Sequence, residues 1–365
     1  MGTITARERQ DGSTSFRAGI LLKQNGRIVH QESKTFDRRT TAKAWMARRE
    51  KELREPGGLE AAQGKKGTLD DLIGTYLQKM LKSIGRTKAQ CLNTLRKSDL
   101  ARMNCEDIRS PHIVEFATKL GEELEPSTVA NYMSHLSAVV RLGRPAWGYP
   151  IDHRVMSDAR TVTDDLGVTG NSKVRDRRPT REELDLLMAH FVERSARGRA
   201  SPMEIIVPFA IFSTRRQSEI SAITWTDYEE HEARYMVRDM KHPGQKLGND
   251  VWCDAPPDVL RILNEMPRNH KNIFPYGTDG ISKAFTEACK ILNIDDLHFH
   301  DLRHEGVSRL FEMGMTIPFV AMVSGHRSWQ SLKRYTNLSK RGDNYEGWKW
   351  WPAVEEAARN LSKPV

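Results

Sequence analysis

The sequence predicts a mainly α protein with small β-sheets, an α+β chain of three domains. Three observations carry this. Residues 68–150 hold successive helix-start signals and apolar residues at helical spacing. Two stretches of strand character flank Asn25-Gly26, and a second set lies at 233–253. Polar, glycine-bearing text at 57–67 and 160–178 punctuates the chain. With 365 residues, two or three domains are expected at roughly 100–200 residues each. The divisions read as 1–64, 67–165 and 175–365.

Each element has its own signal. Residues 15–22 and 27–35 read as strands, because Asn-Gly is the strongest short hairpin marker. Residues 41–52, rich in Ala, Arg, Lys and Glu, read as a helix. Over residues 1–55 there are 13 Lys/Arg against 7 Asp/Glu, a net of +6, so a small basic β-then-α module opens the chain. Thr68 with Asp71 has the form of a capping box. Ser110-Pro111 reads as an N-cap followed by proline at the first helical position. Pro126-Ser127 starts a helix with Val129, Tyr132, Met133, Leu136, Val139 and Val140 on one face. Thr180 with Glu183 opens another helix. Residues 205–212 form a buried helix that Pro208 kinks or bounds, 280–293 and 301–313 are amphipathic helices, and the tail carries Trp348, Trp350 and Trp351 before a last helix. The tail tryptophans read as packing residues. No internal repeat suggests a solenoid.

The bulk composition narrows the partners. The formal net charge is +9 and the pI about 9.3, which favours a polyanion. The four cysteines are scattered, with no Cys-x-x-Cys pair for a zinc ribbon or disulfide scaffold. No apolar stretch reaches the ~18 residues of a membrane span, and Met1–Gln10 lacks a signal core. An intracellular, cytoplasmic setting without membrane partners is therefore expected.

Four pieces of the C-terminal half carry chemistry: Arg216-Gln217-Ser218-Glu219; Lys241 near a hairpin; His300-Asp301-Leu302-Arg303-His304; and Gly325-His326 followed nine residues later by Tyr335. They suit transfer of a phosphodiester. Tyrosine can attack phosphorus and later leave, but its free pKa near ~10 means that it needs help to lose its proton. Two arginines can clamp the non-bridging oxygens with forks that stay charged. A lysine can protonate the departing oxygen. His300 and Arg303 stand at the start of a helix, whose N-terminus favours a phosphate. No metal or other cofactor is required.

Order and spacing together resemble the tyrosine recombinase, or phage integrase, family. The motif match spans 178–340, and the layout of small basic module, helical domain and catalytic domain extends it over most of the chain. The resemblance implies a helical core-binding domain and a mixed catalytic domain closing on DNA as a clamp. It implies that Arg216 and Arg303 bind the scissile phosphate and that Lys241 is the general acid, with Lys246 as a second candidate. It implies that His300 is the base near the tyrosine, that His326 supports the phosphate or orients the nucleophile, and that Tyr335 forms a 3′-phosphotyrosine link. Glu219 would brace the first arginine. The sequence departs from the family in two places. Ser213-Thr214-Arg215 stands where Thr-Gly-Leu is common, and Ser324 replaces the leucine of Leu-Gly-His. The spacing to Glu219 selects Arg216 over Arg215.

The resemblance carries further expectations. The N-terminal module would be an arm-type DNA-binding domain, with Arg17, Lys23, Arg27 and Lys34 near DNA. In the helical domain Lys88, Arg96, Lys97 and Arg141 would face the backbone. The partner is double-stranded DNA, bound by a homo-tetramer, with a directionality factor or DNA-bending protein as accessories. The role is integration or excision of a phage or genomic island. The alternatives are a resolution or inversion recombinase of the same chemistry, a type IB topoisomerase, and a DNA-binding regulator that has lost catalysis. His304 reads as a structural helix residue.

Overall fold

A hairpin widened to three strands opens the chain. In the computed structural model, which describes residues 2–8, 13–24, 27–55, 59, 67–81, 84–198, 201–240 and 248–361, strands β1 (Gly2–Glu8), β2 (Thr14–Gln24) and β3 (Arg27–Phe36) form an antiparallel sheet in the order β1-β2-β3. The turn at Asn25-Gly26 lies outside the described residues. Helix α1 (Arg39–Arg54) packs on all three strands and buries Ala18, Ile20, Ala42 and Leu53. Strand β1 has no counterpart among the expected elements. Its side chains are mostly exposed, so no alternation marks it. Pairing with β2, in the register Gly2↔Ile20 to Glu8↔Thr14, makes it a strand.

The chain divides into two compact units, 1–174 and 175–365. The expected boundary near 64–67 falls largely on residues outside the described set. After it come α2 (Leu69–Lys79), α3 (Arg86–Leu95), α4 (Asp99–Arg102), α5 (Ser110–Gly121), α6 (Pro126–Trp147) and α7 (Arg154–Asp165). Thr68 and Asp71 close the expected capping box, with Asp71 N–H to Thr68 Oγ1 at 3.2 Å and Thr68 N–H to Asp71 Oδ2 at 2.8 Å. The start of α5 corrects the expected cap by one residue. Arg109 is the N-cap, its N–H donating to His112 Nδ1 at 3.1 Å, and Ser110 is already helical. The stretch from 160 is also corrected. Arg160–Asp165 completes α7, because Met156, Ala159 and Thr163 keep helical spacing and are buried, with α7 packed on α5.

The second unit is built around α9 (Met203–Ser213), every residue of which is buried. That is why its text is apolar on every face but for Glu204, which accepts from Ser195, and the terminal Ser213. It is surrounded by α8 (Arg181–Ala196), α11 (Pro257–Glu265), α12 (Thr278–Ile291), α13 (Asp301–Glu312) and α15 (Trp351–Asn360). Pro208 sits inside α9. The four-residue helix α10 (Gln217–Ile220) and α14 (Ile317–Ser324) complete the helices. A small antiparallel sheet, β4 (Tyr228–Glu229), β5 (Arg234–Val237) and β6 (Val251–Asp254), lies beside them. Its expected turn, His242-Pro243-Gly244, is outside the described residues. The tail folds back as packing. Phe212 of α9 stacks on Trp351 at 5.0 Å and meets Tyr345 and Trp348 edge-on. Among the described residues no helix is long and apolar enough to cross a membrane. The fold is mainly α with small β-sheets, as expected, two of them among the described residues.

One close approach sets α13 against α9. Gly306 of α13 lies where a Cβ would stand 1.9 Å from the Ile211 carbonyl oxygen of α9. A side chain would drive the two helices apart. Gly306→Ala is expected to cost about 1–3 kcal/mol in urea unfolding and to displace Arg303 one turn earlier. Wild-type stability in this variant would show that the helices can slide.

Candidate active site

The site begins where α9 ends. Thr214 caps it in the left-handed region, at φ 57°. A β-branched residue there costs about 1–2 kcal/mol relative to glycine, so the surroundings must hold it. They do: the Thr214 carbonyl accepts from Arg303 Nη1. The turn then delivers two arginines, one fully buried and one partly exposed. Arg215 is fully buried and donates to the carbonyls of Ser213 (3.0 Å) and Val323 (2.7 Å) and toward Cys253 Sγ (3.2 Å). Arg216 is partly exposed and pairs with Glu219 at 2.6 Å. It lines a pocket of about 290 Å³ together with Gln217, Ser218, Thr278, Phe299 and His300.

Helix α13 supplies the second arginine. Arg303 is buried, donates to the Ser324 carbonyl at 3.1 Å and reaches His326 Nε2 at 3.2 Å. Glu219 lies 2.6 Å from Arg216, 3.5 Å from Arg215 and 3.9 Å from Arg303. Burial pushes its carboxyl up, yet Arg215, Arg303 and Arg216 outweigh this and hold it below the ordinary range. Three guanidiniums thus share one carboxylate. For Arg303 the excess shows directly, since burial and repulsion from Arg215 and Arg216 push it down to about 9. It keeps its proton at neutral pH, in a setting that an anion would relieve.

Gly325 ends α14 at φ 69°, and a Cβ there would stand 2.4 Å from Met240 Cε. Only glycine fits, and this aims the next residue, His326, at Arg303. Ser324 holds that ring. Its Oγ donates to the Val320 carbonyl at 2.5 Å and meets His326 Nδ1 at 2.7 Å. The arrangement fits a proton on Nδ1, with Nε2 accepting from Arg303. The serine that departs from Leu-Gly-His therefore orients the histidine. Burial, Arg303 and Arg216 lower His326 to about 3, so the ring is neutral in working conditions.

Tyr335 closes a short 3-10 turn, Lys333–Tyr335, with its N–H on the Leu332 carbonyl at 3.0 Å. Its ring lies parallel to Phe311 (6.1 Å, 6°) and packs on the small core of Val307, Leu310, Val320, Val323 and Leu332. Burial raises its phenol above the ordinary value. Its hydroxyl meets Nδ1 of His304 at 2.6 Å. By sequence His304 reads as structural and His300 as the group near the tyrosine. His300, exposed at the N-cap of α13, instead packs edge-on against His304 at 5.3 Å. A basic strap braces this helix. Arg175 holds Asp301 at 2.7 Å and Asp296 at 2.8 Å, Arg178 holds Glu305 at 2.7 Å and Glu312 at 2.8 Å, and Arg334 reaches Asp176.

The remaining expected residues are more dispersed. Lys241 and Lys246 lie outside the described residues. Arg17 is on the open face of the N-terminal sheet, bonded to Ser33 Oγ at 2.9 Å. Lys34 pairs opposite Ala18, on the helix-covered face, and lies over the Phe36 ring. The two do not share a face. Lys23 is exposed, and the Arg27 side chain is outside the described set. Lys88 is spent on Tyr76, over whose ring it sits at 4.7 Å, and Arg96 on Asp70 at 2.6 Å. Lys97 and Arg141 are exposed.

Known proteins resemble this chain. The family model for the phage integrase family matches residues 178–341, the stretch that carries Arg215, Arg216, Glu219, His300, Arg303, His304, His326 and Tyr335. The chain belongs to the phage integrase family. The shufflon-specific DNA recombinase of Escherichia coli is 31% identical over 259 residues, 67% of this chain and 62% of that protein. The integrase of Salmonella phage P22 is 24% identical over 59% of this chain and 56% of its own. The chain thus spans about three fifths of the length of these two relatives. Among solved structures, a lambda integrase dimer bound to a COC′ core site aligns with a TM-score of 0.60 at 17% identity, over 92% of this chain and 95% of that one. The Tn1549 transposon integrase with a circular intermediate DNA aligns at 0.56 and 13%, over 74% and 95%. Both share the fold of this phage integrase family member.

Proposed function

We propose that this chain is a site-specific DNA recombinase that cuts and rejoins strands through a 3′-phosphotyrosine link at Tyr335. One observation carries the reading: Arg216, Arg303 and Arg215 converge on the single carboxylate of Glu219, with His326 held against Arg303. Such an excess of buried positive charge suits a phosphodiester whose negative charge grows in the transition state. In this reading Arg216 and Arg303 clamp the non-bridging oxygens and His326 supports the same phosphate. Lys241, with Lys246 as the alternative, protonates the departing 5′ oxygen, and His300 stands at the mouth of the phosphate pocket. Residues 175–365 form the catalytic domain, 67–165 the core-binding domain and 1–64 an arm-type module. Arg17, Lys23, Arg27, Lys34, Lys88, Arg96, Lys97 and Arg141 are proposed DNA contacts. Lys23, Lys97 and Arg141 are exposed, whereas Lys88 and Arg96 already hold Tyr76 and Asp70.

The partner is double-stranded DNA in the bacterial cytoplasm. The working unit is a homo-tetramer, a state supported by the lambda integrase tetramer on a Holliday junction that shares this fold at a TM-score of 0.58. A directionality factor or bending protein completes the set. Integration or excision of a mobile element is the first reading. An inversion recombinase of the same chemistry is the second, favoured by the likeness to the shufflon-specific enzyme.

The test is a nicked suicide duplex carrying the ends of the element that encodes the chain, resolved on a denaturing gel. A covalent protein–DNA band is expected. Binding to the same duplex should weaken steeply with salt, with a log–log slope of about −0.9 per neutralised phosphate. DNA binding with no covalent band on any end sequence would favour a regulator that has lost catalysis.

A further inference from the structure

We propose that His304, rather than His300, is the group that takes the proton from Tyr335 as the tyrosine attacks DNA; this rests on the recombinase reading above. The geometry is direct. His304 Nδ1 stands 2.6 Å from Tyr335 Oη, and the two rings lie 6.1 Å apart. Both partners are fixed. Phe311 lies parallel to the tyrosine ring, Leu332 anchors the turn beneath it, and His304 sits one turn inside α13. Helical register does the rest. Arg303 and His304 are successive residues, so their side chains leave the helix about 100° apart. Arg303 turns to Thr214 and Ser324, while His304 turns to the Tyr335 segment. One helix thereby presents the phosphate clamp and the proton acceptor together. His300, four residues earlier, shares the face of His304 but meets it at the exposed end.

The protonation states agree. Burial, Arg334 and His300 push His304 down to about 4, so at neutral pH the imidazole is uncharged, and the tautomer protonated on Nε2 offers Nδ1 as an acceptor. The charged and titratable groups around it are His300, Asp301 and Arg303 on its own helix and Arg334 and Tyr335 on the facing turn, with Asp176 and Arg178 acting on Tyr335. A bound phosphate would offset Arg303 and make His304 more basic as the substrate arrives. In the step, the Oη–P bond forms and the Oη proton passes to Nδ1. The P–O5′ bond breaks, and the 5′ oxygen takes a proton from the general acid. Rejoining runs the same transfers backward, and His304 returns its proton to Oη.

Two arms test this on the full-length chain. In the first, the nicked suicide duplex is used with an ordinary 5′ oxygen or a bridging 5′ sulfur, which leaves without a proton. His304→Ala should slow single-turnover cleavage by about 10²–10³-fold, and sulfur should not restore it. His304→Asn keeps an acceptor near Nδ1 but cannot take a proton. It should melt like wild type, stay slow, and lose the acid limb that wild type shows as His304 protonates. Cleavage by His304→Asn within about threefold of wild type, or rescue of His304→Ala by sulfur, would overturn the assignment; rescue would place the residue on the leaving group. The second arm needs no DNA. Acetylation of Tyr335 by N-acetylimidazole, read by mass spectrometry of its peptide, should fall about tenfold or more in His304→Ala. An unchanged rate overturns the proposal. If wild type acetylates as expected yet forms no adduct on DNA, the recombinase reading has failed and the His304 contact has not.

Discussion

Tyr335→Phe is expected to abolish the covalent DNA adduct while leaving DNA affinity nearly unchanged. The substitution removes one oxygen and nothing else. The ring keeps its parallel contact with Phe311 and its seat on Val307, Leu310, Val320, Val323 and Leu332. The bond to His304 Nδ1 is lost, and the ring nitrogen is left without that partner. A neutral hydrogen bond of this kind contributes about 0.5–1.5 kcal/mol, so the fold should stay within ~1 kcal/mol of wild type. Tyr335 supplies the hydroxyl that meets His304, so its loss removes the proposed nucleophile. The measurement is a denaturing gel of wild type and variant on the nicked duplex, with filter binding on the same DNA. An adduct in the phenylalanine variant would show that another residue is the nucleophile.

The parts of the site that are legible in the sequence are those set by local spacing. H-x-x-R at a helix start, a glycine that must adopt a left-handed turn before His326, and R-x-x-E after a mostly apolar helix all depend on residues within one or two turns of each other. The fold class is legible for the same reason, because capping boxes at Thr68 and Thr180 and helical apolar faces are local. The features that escape depend on the element folded opposite. Strand β1 is polar, and only its register against β2 makes it a strand. The end of α7 reads as linker until its Ala159 and Thr163 are seen buried. His304 looks like any helix residue, since nothing near it in sequence reveals that the Tyr335 turn will lie against it. Ser324 looks like a lost leucine, and only the position of His326 shows that its hydroxyl has a use.

Arg303→Ala is expected to lower the rate of strand cleavage by about 10²–10³-fold or more, the scale seen when one charge-stabilising donor is removed, while costing little stability. The two effects part because of the charge balance. Arg303 is a cation whose folded pKa, about 9, lies below its ordinary value, so the fold disfavours its charged form. That penalty is present wherever the group is protonated and fades as pH rises through about 9. Removing the guanidinium relieves repulsion from Arg215 and Arg216 and leaves Glu219 still paired with both. Against this stand the lost packing and two carbonyls, of Thr214 and Ser324, without their donor, each costing about 1–3 kcal/mol if it stays dry. The opposing terms are of similar size, so the melting temperature should move little, and the variant should lose most of the stabilisation that sulfate or phosphate gives wild type through binding to the native state. Arg303→Lys should not restore cleavage. A single ammonium cannot reach Thr214, Ser324 and a phosphate at once, as a planar fork can. A variant that melts far below wild type would assign Arg303 to the scaffold. A variant that melts like wild type, cleaves at the background rate and ignores sulfate would mark the guanidinium as a charge held against folding for the sake of the phosphate.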